Sequence, residues 1–371
     1  MKKRIVIAGL GDTGLLVALG LHPEVEVIGV SPKPCLVSGQ ELGTRVARPG
    51  LWREHYLVDF ARYRKLRGMA TRHGLITRLL PERDEVVVRR MDGTEETLRY
   101  DALVLSMGVT NGFWRTATLE GREDVEQGID EVASQLAAAA SVAVVGGGAT
   151  AASAASNLRE AHPDKPVTLF FGERGLLPDY HPRVRKQVVA RLERQGVALR
   201  PGHRAVMPAG FAGERLTPGP IAFSSGQPAF QADAVLWAVG RLQPNTSFVP
   251  ANMLEEDGFV RADPQLRVPG YNNVFTVGDV AATDPNRSSA RNSGFLTVAH
   301  NVRCLLEGRE DRMKAFEATP HRWGSVLGVQ HDGMRVFAPN GLSVGIGLFW
   351  VRNVLFPLVV RRGIYKGVDP A

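Results

Sequence analysis

Residues 5–19 read IVIAGLGDTGLLVAL, and residues 142–158 read VAVVGGGATAASAASNL. Each stretch is a short apolar run suited to a buried strand, then a glycine-rich turn, then a run suited to a helix. Each is followed by a second apolar strand, at residues 25–30 and 167–171. In a unit of this kind the first glycine turns the strand sharply. The second lets the backbone approach a pyrophosphate seated on the helix N-terminus, and the third lets helix and strand pack closely. One GxGxxG alone is a common pattern; two copies in the same local context make the repeat the organising feature of the chain. The fold class that follows is α/β, with two Rossmann-like dinucleotide-binding domains.

The stretches around the repeat are patterned in the same way. Residues 85–94, EVVVRRMDGT, read as a strand entering an Asp-Gly hairpin. Residues 100–108, YDALVLSMG, form a buried strand ending at Gly108, and residues 232–240, ADAVLWAVG, repeat that form up to Gly240 before RLQPN. Residues 273–279, NVFTVGD, present Asp279 at the end of a short strand, and residues 295–306 suit a helix. The chain has 371 residues, enough for two or three domains. With 44% hydrophobic and 22% charged residues, it is neither disordered nor a polytopic membrane protein. Two cysteines exclude a disulfide scaffold and a Cys-rich metal site, and the nine histidines show no HxxxH or HExxH grouping, so no metal is expected. The net charge is 45 − 38 = +7, and +5 of it falls between Asp332 and Asp369, where Arg335, Arg352, Arg361, Arg362 and Lys366 meet no acid. That distribution argues against a nucleic-acid surface and for a basic tail facing an anionic partner. The basic residues 2–4 precede an apolar run that breaks at Gly9, which is too short for a signal peptide and points to a cytoplasmic protein.

Four ordered motifs, GLGDTG, GGGATA, AVGRLQPN and VFTVGD, resemble those of the two-dinucleotide flavoproteins, the pyridine nucleotide-dependent FAD oxidoreductases. The resemblance covers nearly the whole chain. It implies a split FAD domain at 1–111 and 243–315, an inserted NAD(P) domain at 112–242, and a C-terminal region at 316–371 that completes a dimer interface or the acceptor site. It assigns FAD to Gly9, Gly11, Asp12, Thr13, Gly14, Ser31, Lys33, Gly108, Gly278 and Asp279, with Asp279 accepting from the ribityl chain. Arg291 and Asn292 would approach the flavin ring, and residues 45–49, RVARP, its other edge. The nicotinamide dinucleotide would lie on Gly146, Gly147, Gly148, Ala149, Thr150 and Gly240, with Glu173 and Arg174 at the end of the second strand. NADH and NADPH both remain open there, with a slight lean to NADPH from Arg174 and the closing Ala151.

Three departures from the family pattern stand out. Ser31 occupies the slot of the acid that binds the adenosine ribose, Ala151 replaces the third glycine, and Ser153 replaces a Glu near the flavin–nicotinamide contact. Cys35 and Cys304 lie too far apart in sequence to form the redox pair of the disulfide reductases. The chain therefore resembles the cysteine-independent branch, which includes type II NADH:quinone dehydrogenases, apoptosis-inducing-factor-like quinone reductases and ferredoxin reductases. The leading expectation is hydride transfer from NAD(P)H to FAD and onward to a quinone-like acceptor; no catalytic side chain is required. A ferredoxin- or rubredoxin-type reductase, with a small acidic protein as acceptor, and a redox-sensing binding protein are the alternatives. Residues 342–360 are mostly apolar, but Arg352 and Asn353 interrupt them and Pro357 is expected to break a continuous helix. Too broken to span a membrane, the segment suits an interfacial contact on anionic lipid at the inner face, and type II quinone dehydrogenases attach through this region. A core-packed terminus or a homodimer interface is the competing reading.

Overall fold

The first apolar run becomes the strand Arg4–Ala8, whose neighbours come from distant parts of the chain. In this computed structural model, which describes residues 2–239, 242–283 and 294–370, a seven-stranded sheet is built around it. Its order is Val274–Thr276, Ala102–Leu105, Arg4–Ala8, Glu26–Ser31, Ala70–Leu80, Glu85–Arg90 and Glu95–Arg99. The first five strands are parallel and the last two add antiparallel. Ile5 pairs with Val27 on one side and Ala102 on the other. All of residues 5–8 are fully buried, as a central strand covered on both faces requires. The Asp-Gly turn is present: Asp92 accepts from the backbone N–H of Thr94 at 2.9 Å, and Gly93 takes a φ of 82°.

The second apolar run builds a smaller sheet, all parallel, in the order Ala198–Arg200, Val167–Phe170, Val142–Val145, Ala234–Trp237. The helix Ala149–Ala161 leaves its glycine turn as Asp12–Leu21 leaves the first. The strand-then-glycine form closes both units, because Ala102–Leu105 and Ala234–Trp237 each flank the central strand of their sheet. Asn245 ties the two closures together: its side-chain amide donates to the Met107 carbonyl at 3.0 Å and its backbone N–H to that of Gly108 at 3.2 Å. The helix expected over 295–306 spans Gly294–Leu306.

The C-terminal region forms a three-stranded antiparallel sheet, Gly324–Gln330, Gly333–Phe337 and Ser343–Ile346, followed by helical turns at Leu348–Trp350 and Val351–Ile364. Here an expectation fails. Pro357 does not break the helix, which runs through it with wide, π-type winding. Proline disrupts an α-helix because it lacks an N–H and its ring meets the carbonyl four residues back. Winding with bonds to the fifth residue back, as from Tyr365 N–H to the Val360 carbonyl at 3.0 Å, relaxes that conflict. The helix is also two-sided. Val351 and Phe356 are buried, whereas Phe349, Trp350, Leu358, Val359 and Ile364 are among the most exposed large apolar residues of the described chain. Beyond it, Tyr365 packs edge-on against Tyr63, and the Asp369 carboxylate binds Arg64 and Arg67 at 2.6 Å each. The tail is thus fastened to the first sheet's domain. Among the described residues no helix is long and apolar enough to cross a membrane.

Candidate functional site

The carboxyl ends of the parallel strands in the large sheet open into a cleft of about 470 Å³, within the range of about 300–1,000 Å³ typical of ligand pockets. The first glycine turn forms its floor, and the three glycines differ there. Gly9 turns at a φ of +97°, where a Cβ would lie 2.7 Å from the Ser106 carbonyl oxygen. At Gly14 a Cβ would lie 1.8 Å from the Gly9 carbonyl oxygen, so helix and strand touch backbone to backbone. At Gly11, which caps the helix Asp12–Leu21, a Cβ would meet nothing within 4 Å. That one position leaves the helix N-terminus open to the cleft, which is what an approaching pyrophosphate needs. The far segment closes over the same turn: Gly278, at a φ of +87°, sits against Thr13, with 2.9 Å from a Cβ to Thr13 Oγ1.

The sequence-predicted FAD residues Gly9, Gly11, Asp12, Thr13, Ser31, Lys33, Gly108 and Asp279 all line this cleft. Gly14 and Gly278 act behind it, through packing. Ser31 and Lys33 lie at one end, at and just past the end of the strand beside the first; Asp279 lies at the other, beyond Val274–Thr276. Several of these side chains are already committed to protein partners. Asp12 accepts from Ser38 Oγ at 2.6 Å and from the Gly39 N–H at 2.8 Å, so it fastens the loop 38–40 over the glycine turn. Lys33 forms an ion pair with Glu120 and donates to the Thr118 carbonyl at 2.9 Å. Burial pulls its pKa below the usual lysine range, with Glu120 opposing. Ser31 is buried, and its hydroxyl accepts from the Lys33 N–H at 3.2 Å. Cys35 also lines the cleft; burial pushes its thiol up to about 11, so it stays neutral there. Both cysteines are free and buried.

Sequence reasoning missed Arg115, which crosses the cleft to form an ion pair with Asp279 and faces the Gly39 carbonyl at 3.4 Å. No motif marks it, since it lies seven residues past Gly108 in an irregular segment. Of residues 45–49, Arg45 and Val46 reach the cleft. Arg48 turns away to the Val329 carbonyl at 2.6 Å and to Glu160 at 3.1 Å. Gly240, Arg291 and Asn292 lie outside the described residues.

The second glycine turn repeats the division of labour. A Cβ at Gly146 would lie 2.5 Å from the Ala238 carbonyl oxygen, whereas Gly148, the cap of the helix Ala149–Ala161, has nothing within 4 Å. Gly147 packs toward Gly175, and its carbonyl accepts from Leu177 at 2.7 Å. Ala149 and Thr150 begin the helix, and the buried Ala151 takes the third-glycine place. Glu173 and Arg174 follow the strand Val167–Phe170 in exposed positions, and Arg174 pairs with Asp179 at 3.2 Å. The structure explains Ser153. The helix Leu42–Ala47 crosses it so closely that a Cβ on Gly43 would lie 2.3 Å from Ser153 Oγ. A glutamate there would have no room. The neighbouring Asn157 donates to the Ser153 and Leu327 carbonyls, both at 2.8 Å, which joins the second dinucleotide unit to the C-terminal sheet.

The model of the pyridine nucleotide-disulphide oxidoreductase family matches residues 3–301 of the chain. Apoptosis-inducing factor homolog B of Dictyostelium discoideum is 26% identical over 363 residues, covering 91% of this chain and 90% of that protein. Fe-regulated protein 8 of Mycosarcoma maydis is 25% identical over 208 residues, covering 54% of this chain; the match spans about half of that protein's length, 49%. Among solved structures, NDH2 from Plasmodium falciparum superposes with a TM-score of 0.72 over 99% of this chain and 96% of that one, at 12% identity. That likeness establishes a shared fold.

Proposed function

The chain belongs to the pyridine nucleotide-disulphide oxidoreductase family, and from that premise we propose that it is an FAD-dependent NAD(P)H oxidoreductase serving a quinone-like acceptor. The observation that carries the reading is the open Gly11 at a helix N-terminus, in a cleft that ends on Asp279, with a second open cap at Gly148. The residues fit FAD: N–H groups and helix dipole toward a pyrophosphate, Ser31 toward a ribose hydroxyl, and Asp279 toward a ribityl hydroxyl. FAD, when bound, supplies the hydride-accepting ring. The chain's own part is to bind, orient and exclude water. Gly9 and Gly14 set the turn, Asp12 holds the loop 38–40 as one wall, and Gly278 against Thr13 fixes the distance to Asp279. Gly146, Gly148 and the helix they introduce would seat the pyridine nucleotide, and Arg174 would meet a 2′-phosphate were the nucleotide NADPH.

On this reading the FAD domain comprises residues 1–111 and 243–315, and the NAD(P) domain residues 112–242. The exposed face of the C-terminal helix supports an apolar acceptor. Phe349 and Trp350 are 67% and 59% exposed, Arg352 and Arg362 of the following helix are exposed too, and there is no acid from 333 to 368. Like charge on two copies would oppose self-association through this face, whereas an anionic lipid surface suits it. The test is the spectrum of the purified protein and its bleaching by NADH or NADPH under anaerobic conditions. A colourless protein that takes up no flavin refutes the reading. Asp279→Ala should release FAD more readily than the parent.

A further inference from the structure

Arg45 is a charge that its partners among the described residues leave uncompensated. It is 7% exposed, and its guanidinium lies over two indole rings, 5.7 Å from the centroid of Trp52 and 5.8 Å from that of Trp114. It donates to the Trp114 carbonyl at 2.9 Å and faces the Phe113 carbonyl at 3.4 Å. These contacts orient the group without neutralising it, and among the described residues no carboxylate forms an ion pair with it. Burial, with Arg115 nearby, lowers its pKa to about 10. A buried cation without a counter-ion is unfavourable in the protein alone. Yet this one lines the cleft. Its place there is defined: Trp114, which it bonds, adjoins Arg115, which reaches Asp279. Arg45 therefore lines the cleft close to Arg115, the partner of Asp279.

Resting on the reading that the cleft holds FAD, we propose that Arg45 recognises the negative charge the cofactor acquires on reduction, so that the protein binds reduced FAD more tightly than oxidised FAD. A hydride carries two electrons and one proton from NAD(P)H, which leaves as NAD(P)⁺. Without a second proton the ring holds one more negative charge than before. A fixed, poorly hydrated guanidinium stabilises that charge with little reorganisation. The pyrophosphate, by contrast, has the same charge in both states, so a residue serving it would act on both equally.

The experiment compares the parent with Arg45→Met and Arg45→Lys, each as the full chain. Three quantities are measured: the two-electron midpoint potential of bound FAD, the affinity of the deflavinated protein for oxidised FAD, and the urea midpoint of the deflavinated protein. Arg45→Met should lower the preference for reduced FAD about tenfold, read as a potential lower by ~30 mV, with affinity for oxidised FAD little changed. Its deflavinated form should be at least as stable as the parent, because an apolar chain replaces an unpaired buried ion. Arg45→Lys should retain most of the potential. An unchanged potential in Arg45→Met, whether or not FAD affinity falls, overturns the proposal and makes Arg45 a pyrophosphate or packing residue. Should the Met variant not fold, Arg45→Gln removes the charge while retaining a donor, and the same potential measurement decides. A parent protein that binds no flavin overturns the reading of the cleft, and with it the proposal, before any variant is made.

Discussion

Exchanging two glycines of one turn for alanine separates binding from folding. At Gly14 the added Cβ would lie 1.8 Å from the Gly9 carbonyl oxygen and 2.6 Å from Ser106 Oγ. The first of these is backbone, fixed by the strand Arg4–Ala8, so it cannot rotate away. Overpacking of this kind costs about 1–3 kcal/mol and more where nothing yields, so Gly14→Ala should lower the urea midpoint or fail to express. At Gly11 the same methyl group enters empty space, and the residue's φ of −71° suits any side chain. Gly11→Ala should therefore leave the flavin-free protein as stable as the parent, or up to about 1 kcal/mol more stable through a less flexible unfolded chain. Its cost falls on FAD. A methyl group between the N–H groups and the pyrophosphate weakens hydrogen bonds to a charged group, worth about 1.5–3 kcal/mol each, or roughly tenfold or more in affinity. The assay is urea denaturation of both deflavinated variants, followed by FAD titration monitored by flavin fluorescence. Parental FAD affinity in Gly11→Ala would show that the pyrophosphate does not lie on this turn. Parental stability in Gly14→Ala would refute the packing argument.

Arg174→Ala should reduce NADPH-dependent bleaching far more than NADH-dependent bleaching, by steady-state comparison of the two; equal effects remove Arg174 from cofactor choice. Trp350→Glu should weaken co-sedimentation with anionic liposomes at low salt while leaving the denaturation midpoint nearly unchanged. Phe356→Ala, which removes a ring stacked 4.0 Å from His55, should cost about 3–5 kcal/mol of local or global stability. His55 is held below the ordinary histidine pKa by burial, with Arg361 adding to the effect and Glu54 opposing it. Its ring accepts from Arg361 at 3.2 Å and is therefore neutral in the folded protein. An unfolded chain would protonate it near pH ~6.5 while the folded chain resists. Stability should thus be full above that pH and fall as the pH drops below it, and His55→Gln should flatten this part of the profile in denaturation curves between pH 7 and 5.

The repeat was legible in the sequence because its causes are local. A strand buried on both faces must be apolar, a chain reversing into a helix needs glycine, and the spacing between the two is set by the turn itself. Residues 5–14 and 142–151 therefore announced both units, and Asp279 could be placed through a motif of the same kind. Which polar groups meet across the cleft is a different matter. Arg115 lies 164 residues from Asp279 in the chain, and no spacing rule links them. Arg45 reads as one more basic residue until the fold brings Trp52 and Trp114 against it. Ser153 reads in sequence as a replacement for a Glu near the flavin–nicotinamide contact, and tertiary contact with Gly43 shows a position where only a small side chain fits. Pro357 signalled a helix break because proline's conflict with α-winding is local, but the tail's anchors at His55, Tyr63, Arg64 and Arg67 hold a wider helix through it. Backbone propensity and periodicity act over a few residues and can be read from neighbours along the chain. Charge pairing, close approach and exposure depend on neighbours in space, which only the folded chain selects.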